Sequence, residues 1–330
     1  TTRVAFGSCS RASKEQPIWQ RVLAEEPNLW IWAGDNVYGD TEDMGELQRK
    51  YGMLAEQPGY RELIQKVPVL ATWDDHDYGV NDGGAEYPKR AESQQVFLDV
   101  FGVSDQSPRR SREGVYHAAT FGPEGKRLQV ILLDTRYHRT ELTRYVDRRG
   151  RAGAYRANRD PMGTMLGEAQ WAGLERQLQE EADLRLIVSS IQFVAEDQIY
   201  EKWGNLPAER QRMLALLDRT QPGAVVFLSG DRHHAELSRL HREGQAPVYD
   251  LTASGLNMSN RQKSWQPPEP NSHRLGGTVR GYHFGLLDVD WRTRNVVPVR
   301  SKSGCLSASW RVMWGDSASR TTQRRRETAS

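Results

Sequence analysis

Cysteine is scarce in this 330-residue chain: Cys9 and Cys305, near opposite ends, are the only two. No disulfide framework can therefore organise the fold, and at most one bridge is open, a pairing the sequence leaves undecided. Long apolar runs are also missing. None approaches the roughly 20 residues needed to span a bilayer. Nor is there an excess of charge of one sign, with 45 Lys and Arg against 43 Asp and Glu. That balance argues against a general nucleic-acid or membrane-surface binder, whose affinity rests on surplus positive charge, and no obligate nucleic-acid partner is expected. No internal repeat and no signal peptide are visible in the sequence. The chain opens Thr-Thr-Arg shortly before a core strand, without an initiator Met. If a leader has been removed, the expected compartment is extracellular or periplasmic, and otherwise cytoplasmic.

What is present is a series of short apolar strands that end in polar residues. Leu29, Trp30, Ile31 and Trp32 stop at Ala33-Gly34, and Asp35, Tyr38 and Asp40 follow in one tight loop. Residues 4 to 8 read as a strand ending at Gly7-Ser8-Cys9, and Pro17 followed by Ile18, Trp19, Val22 and Leu23 at helical spacing predicts a helix to about Glu26. Strand, helix, strand is a βαβ unit and predicts parallel pairing. Helices are expected over 43–57, 58–66, 89–101 (with Val96, Phe97 and Val100 on one face), 167–182 and 207–219. Strands are expected over 67–72, 115–121, 127–133, 184–190 and 224–229. Trp171, Leu174 and Leu178 form an apolar stripe assigned to the core. Beyond residue 229 the pattern turns β-rich, at 248–253, 282–291, 295–300 and 307–313, and these strands are expected to be antiparallel and to build a second sheet packed on the first. The reading is a single domain over 1–318, with long loops at about 137–166 and 255–280, and a polar tail over 319–330 expected to be mobile.

Five strand ends carry chemistry of one kind: Cys9; Asp35 and Tyr38; Asp74, Asp75, His76 and Asn81; Asp134 and Arg136; Asp231, His233 and His234. In open α/β sheets, ligands bind beyond the carboxyl ends of the strands, where such residues converge. Several carboxylates in one crevice repel one another unless cations sit between them. Carboxylates and amides suit hard cations, imidazole suits transition metals, and a thiolate beside a phenolate suits iron. Two cations about 3.5 to 4 Å apart would polarise a phosphoryl oxygen and generate a hydroxide nucleophile near neutral pH. Arg136 and Arg232 would supply guanidinium for bidentate phosphate contact. The plain alternatives are a buried structural thiol for Cys9, a packing ring for Tyr38, an orienting role toward His76 for Asp74, a supporting or surface role for His234 and Glu236, and a solvated loop for the run Arg148-Arg149-Gly150-Arg151.

Gly34-Asp35-x-x-Tyr38, Trp73-Asp74-Asp75-His76-Asp77, Asp134-Thr135-Arg136, Met165-Leu166-Gly167-x-x-Gln170-Trp171-x-x-Leu174 and Gly230-Asp231-x-His233, in this order, resemble the alkaline phosphatase D (PhoD-like) branch of the calcineurin-like metallophosphatases. The resemblance runs from about residue 4 to about residue 290. It implies an α/β fold, a four-layer αββα sandwich of two mixed sheets flanked by helices, and hydrolysis of a small-molecule or polymeric phosphate ester, as a phosphodiesterase, an alkaline phosphomonoesterase or both. It implies Fe3+ and Ca2+ as cofactors, with Zn2+, Mn2+ or Mg2+ as alternatives for the second metal. Carried over position by position, Cys9 and Tyr38 would ligate iron, Asp35 would bridge to the second cation, and Asp75 would ligate that cation. Asp231 and His233 would be further ligands, and Asn81 and Gln192 weaker candidates for the cation or phosphate shell. His76 would face the leaving group, and Arg136 would hold the phosphate. His283 stands where the family pattern carries Asn. The competing reading is a non-catalytic metal- or phosphate-binding protein that retains the fold.

Overall fold

The computed structural model describes residues 1–146, 154–260, 265–300 and 312–313. Cys305, the 148–151 arginine run and the 319–330 tail lie outside these residues. Alternation within each strand builds the layers. In β1 (Thr2–Gly7) and β2 (Leu29–Ala33), Val4, Phe6, Leu29, Ile31 and Ala33 point one way and Ala5, Trp30 and Trp32 the other. The first set meets Leu128, Val130 and Leu132 of β5 (Leu128–Leu132), with Leu186, Val188, Val226 and Leu228, in a core between two six-stranded sheets. The second set packs under α1 (Ile18–Ala24), α2 (Met44–Ala55), α3 (Pro58–Lys66), the one-turn α4 (Asp75–Tyr78) and α5 (Arg90–Val100). On the far side Ile131, Ile187 and Phe227 meet α6 (Glu168–Gln179) and α7 (Pro207–Thr220). Helix, sheet, sheet, helix is the expected sandwich. The Trp171, Leu174 and Leu178 stripe is in that outer core.

The sheets are assembled differently from the expectation that the late strands form a sheet of their own. In the first sheet, β1, β2 and β3 (Val69–Thr72) are parallel, and β12 (Gly285–Asp290), β13 (Asn295–Arg300) and β14 (Val312–Met313) continue antiparallel from the other edge of β1. In the second, β5, β8 (Leu184–Val188), β9 (Ala224–Ser229) and β11 (Val248–Ala253) are parallel, between the antiparallel edge strands β4 (His117–Phe121) and β10 (Ala235–Leu240). The early parallel strands are thus split between two sheets and the late strands extend both. Periodicity reports which faces of a strand are apolar, and both faces of β11 and of the first half of β12 are buried. It does not report which free edge the strand joins.

Smaller differences have local causes. Strand β10 went unread because its AELSRL sequence carries buried Glu236 and Ser238 where apolar residues mark a strand. Val100 is 37% exposed, and the buried side of α5 is Ser93, Gln94, Phe97 and Leu98. The 137–166 loop holds a small hairpin, β6 (Arg144–Tyr145) with β7 (Ala154–Tyr155).

Edge strand β4 yields a pH prediction. His117 is half-buried beside Arg109 and Arg112, and burial first, then those two charges, pushes its imidazole down to about 4. A folded value below the unfolded ~6.5 means that stability is fully present above that pH and is lost as pH falls toward 4. Allowing for partial exposure, the loss is about 1–2 kcal/mol. His117→Asn is expected to flatten the fall in urea-derived unfolding free energy between pH 7 and pH 4.5 by that amount. An unchanged fall would show that His117 is not its source.

Candidate metal centre and active site

The C-terminal ends of the parallel strands in both sheets open on the same crevice. Two glycines permit the approach. A Cβ on Gly34, at φ +91°, would come within 2.5 Å of the Asp74 Cβ, and one on Gly230 would lie 2.6 Å from the Ala33 carbonyl oxygen and from Ser8 Oγ. Cys9, Asp35, Asp231 and His233 themselves lie in the left-handed region at φ 61°, 49°, 65° and 55°. Non-glycine residues are costly there, at about 1–3 kcal/mol each, and such strain collects at functional sites.

A single buried carboxylate braces the crevice. Asp77 Oδ1 accepts from the Asp35 and Asp74 N–H groups at 3.1 and 2.7 Å, and its Oδ2 from the Asn36 N–H at 3.2 Å and Tyr51 Oη at 3.0 Å. Gln170 of α6 clamps a third strand end. Its Oε1 accepts from the Asp134 N–H at 2.8 Å, and its Nε2 donates to the Asp134 carbonyl at 2.9 Å. The residues shared by the WDDHD, DTR and MLGxxQW motifs are therefore partly scaffold.

Within the crevice Cys9 Sγ lies 3.3 Å from Asp35 Oδ2, and Tyr38 Oη lies 2.9 Å from His233 Nε2. One ligand atom each from Cys9, Asp35 and His233 falls within 4.8 Å of the others, and the same holds for Asp35, Asp75 and His76, and for Asp75, Asp82 and Glu201. Burial pushes the Cys9 thiol, the Tyr38 phenol and the Asp35 carboxyl upward, and neighbouring acids add to each shift. Burial, with Arg232 and His76, pushes His233 down to about 4. Asp35 Oδ1 is buried with no hydrogen-bond partner among the described residues. A neutral imidazole, a thiol, a phenol and mutually repelling carboxylates with an unpartnered oxygen make a donor set that fits bound cations.

The PhoD-like phosphatase family model matches residues 4–296. The chain belongs to the PhoD-like phosphatase family. Alkaline phosphatase D of Bacillus subtilis (strain 168) is 24% identical over 244 residues, which are 65% of this chain and 41% of the relative. The chain thus spans about two-fifths of the length of the curated relative it matches. Among solved structures, PhoD superposes with a TM-score of 0.73 at 17% identity, covering 94% of this chain and 69% of that one. GAP50, the anchor in the inner membrane complex of Plasmodium, gives 0.60 at 15%, with 96% and 89% covered. A dimetal phosphatase from Danio rerio gives 0.51 at 13%, with 91% and 95% covered. These likenesses establish the fold. Among the described residues no helix is long and apolar enough to cross a membrane.

The remaining sequence-selected residues of this PhoD-like chain occupy distinct places. His76 is partly exposed, its Nδ1 lies 2.6 Å from Asp40 Oδ1, and its ring lies 4.2 Å from that of Tyr38. Burial lowers its pKa, but Asp75, Asp35 and Asp40 outweigh that and carry it up to about 11. Asp40, not Asp74, therefore orients His76. Asp74 instead accepts from Arg136 Nε at 2.7 Å. Arg136 is fully buried beneath the crevice, with Nη1 also 2.7 Å from Glu201 Oε2. Arg232 lies in the wall of a cavity of about 360 Å³ that Asp75, His76, Asn81, Asp231 and His233 also line. Asn81 is exposed, its amide donating to Asp82 Oδ2 at 2.7 Å, on the ridge between this cavity and a neighbouring one of about 420 Å³.

Gln192 is buried below the cavity, donating to Glu236 Oε1 at 2.7 Å and to Thr252 Oγ1 at 3.0 Å. His234 and Glu236 are both buried, 3% and 1% exposed, with Nε2 and Oε2 3.6 Å apart, so neither is a surface residue. His283 accepts from the Ser254 N–H at 3.2 Å through Nε2 and lies 2.6 Å from the Gly281 carbonyl through Nδ1, packed against Gly255. Asp82, Glu201, Tyr200 and Glu269 join the site unforeseen. Asp82 directly follows the Asn81 signal, whereas the others lie in loops with no strand-end pattern.

Proposed function

We propose that this chain hydrolyses phosphate esters, diesters ahead of monoesters, with cations held by Cys9, Asp35, Tyr38, Asp75, Asp231 and His233. One observation supports the reading above the rest: the thiol, phenol, imidazole and carboxylates from the ends of both sheets meet beside an unpartnered Asp35 oxygen, at the edge of an open cavity. The thiol, phenol and imidazole of Cys9, Tyr38 and His233 would suit Fe3+, and the carboxylates of Asp35 and Asp75 would suit Ca2+. Cations bound there would draw charge from a phosphoryl oxygen and acidify a coordinated water. The protein's own residues supply the rest. Asp40 holds His76 through Nδ1, leaving Nε2 to donate a proton to the departing oxygen. Arg232, in the cavity wall, faces the non-bridging oxygens, and Arg136 positions Asp74 and Glu201 from below.

The first test is elemental analysis with a visible spectrum, beside hydrolysis of bis-p-nitrophenyl and p-nitrophenyl phosphate. Iron with a broad visible band is expected from phenolate or thiolate bound to Fe3+, and a protein carrying zinc or manganese without iron would remove that assignment. A monoester rate far above the diester rate would overturn the stated preference. His76→Gln is expected to lower turnover about 10²–10³-fold while metal content stays intact. Loss of metal in that variant would make His76 a ligand instead of the acid.

A further inference from the structure

We propose that Glu269 sets the ester class by occupying one edge of the Arg232 guanidinium, and the proposal rests on the phosphoesterase reading above. Glu269 takes Arg232 side-on, with Nε to Oε2 at 3.1 Å and Nη2 to Oε1 at 2.7 Å. This is the two-point geometry by which a guanidinium holds two phosphate oxygens. Nη1 donates to Asp231 Oδ2 at 3.3 Å, and the Tyr200 ring lies 4.0 Å from the guanidinium carbon. Two carboxylates thus flank one cation, and one of its two-point edges is taken.

Glu269 is not a loosely placed surface acid. Its side chain is 21% exposed and that of Arg232 10%. Pro267 and Pro268 precede it and stiffen the approach. The residues that follow are tied down: Asn271 Nδ2 donates to Glu236 Oε1 and Ser238 Oγ, both at 2.8 Å, and Arg274 bonds both Glu236 and the Glu269 carbonyl. The carboxylate is therefore presented to Arg232 by a built loop on the rim of the cavity.

The consequence concerns charge. At alkaline pH a phosphate monoester carries about two negative charges and a diester about one. With Glu269 in place, the positive charge of Arg232 is already offset, and the fixed carboxylate repels the second charge of a monoester more than the single charge of a diester. Glu269→Gln removes the charge and keeps the shape. Glu269→Ala also frees the Nε and Nη2 edge.

The experiment measures kcat/KM for p-nitrophenyl and bis-p-nitrophenyl phosphate at pH 8, and the Kd of inorganic phosphate by calorimetry, in wild type and both variants. We expect the monoester to diester ratio to rise about tenfold and phosphate to bind about tenfold tighter in each variant, with metal content unchanged. A ratio or a phosphate Kd within twofold of wild type in both variants overturns the proposal. A wild-type protein that hydrolyses neither ester sinks the functional reading separately, and the phosphate titration then decides the role of Glu269 alone. If the alanine variant does not fold, the glutamine variant, which preserves the contact's shape, carries the test.

Discussion

Asp35→Ala is expected to abolish phosphate-ester hydrolysis, by at least about 10³-fold in kcat/KM, and to strip the protein of bound metal. The size of the effect follows from where the residue stands. Asp35 is common to two of the groups able to hold a cation, one with Cys9 and His233 and one with Asp75 and His76. Its Oδ2 lies against the Cys9 sulfur, and its Oδ1 is buried without a hydrogen-bond partner among the described residues. Among the described residues it alone joins the Cys9 and His233 group to the Asp75 and His76 group. Ala tolerates the φ of 49° at this position less well than Asp, so circular dichroism of the variant accompanies the assay to show that it is folded. Elemental analysis of the purified variant, beside its rate on bis-p-nitrophenyl phosphate, checks the expectation. A variant that keeps its metal and more than a tenth of its activity would place the centre elsewhere. Asp40→Asn, which touches only the orienting contact to His76, is expected to cost less, about 10-fold to 100-fold, with metal retained.

The second large effect is on stability. Arg136→Met is expected to destabilise the fold by about 3–5 kcal/mol, because it leaves buried Asp74 without its cation and buried Glu201 with Arg139 alone. Asp74 and Glu201 are 0% and 1% exposed, and Arg136 donates to the first and forms an ion pair with the second. Burial already pushes Glu201 up to about 7 even with Arg136 and Arg139 beside it, and burial drives Asp74 upward as well. Removing Arg136 raises both further, and the sign of the pH dependence follows. Acids with folded pKa values above their unfolded ones contribute stability below the unfolded value and lose it as pH rises through the folded one. The variant is therefore expected to suffer most above pH 7 and to recover part of the loss near pH 5. Urea unfolding of wild type and variant at pH 8 and pH 5 measures this. A loss below 1 kcal/mol at pH 8, with a raised KM instead, would return Arg136 to the role of a phosphate ligand.

Local features carried much of this protein in the sequence itself. The runs that became β1, β2, β5, β8 and β9 are apolar, short and bounded by Gly or polar residues, and these are properties of a few adjacent residues. So are the acids, histidines and cysteine placed just past the strand ends, and the caps and prolines that start α2, α3 and α7. The motifs that follow those strands were enough to place the chain beside the PhoD-like phosphatases. What the sequence did not determine is everything that depends on pairing between distant segments. Which edge β12 joins, and that β11 lies parallel beside β9, are settled by the fit of two apolar faces over the whole sheet. The partner of His76 lies 36 residues away, and that of Arg136 lies 62 residues away. Sequence chemistry made Arg136 a candidate for phosphate, and the tertiary structure buries it between Asp74 and Glu201. Arg232 and Glu269 meet for the same reason, because a loop with no motif of its own is pinned to β10 by Glu236. Tertiary structure decided these contacts, since an ion pair depends on where two backbones are brought together and not on either local sequence.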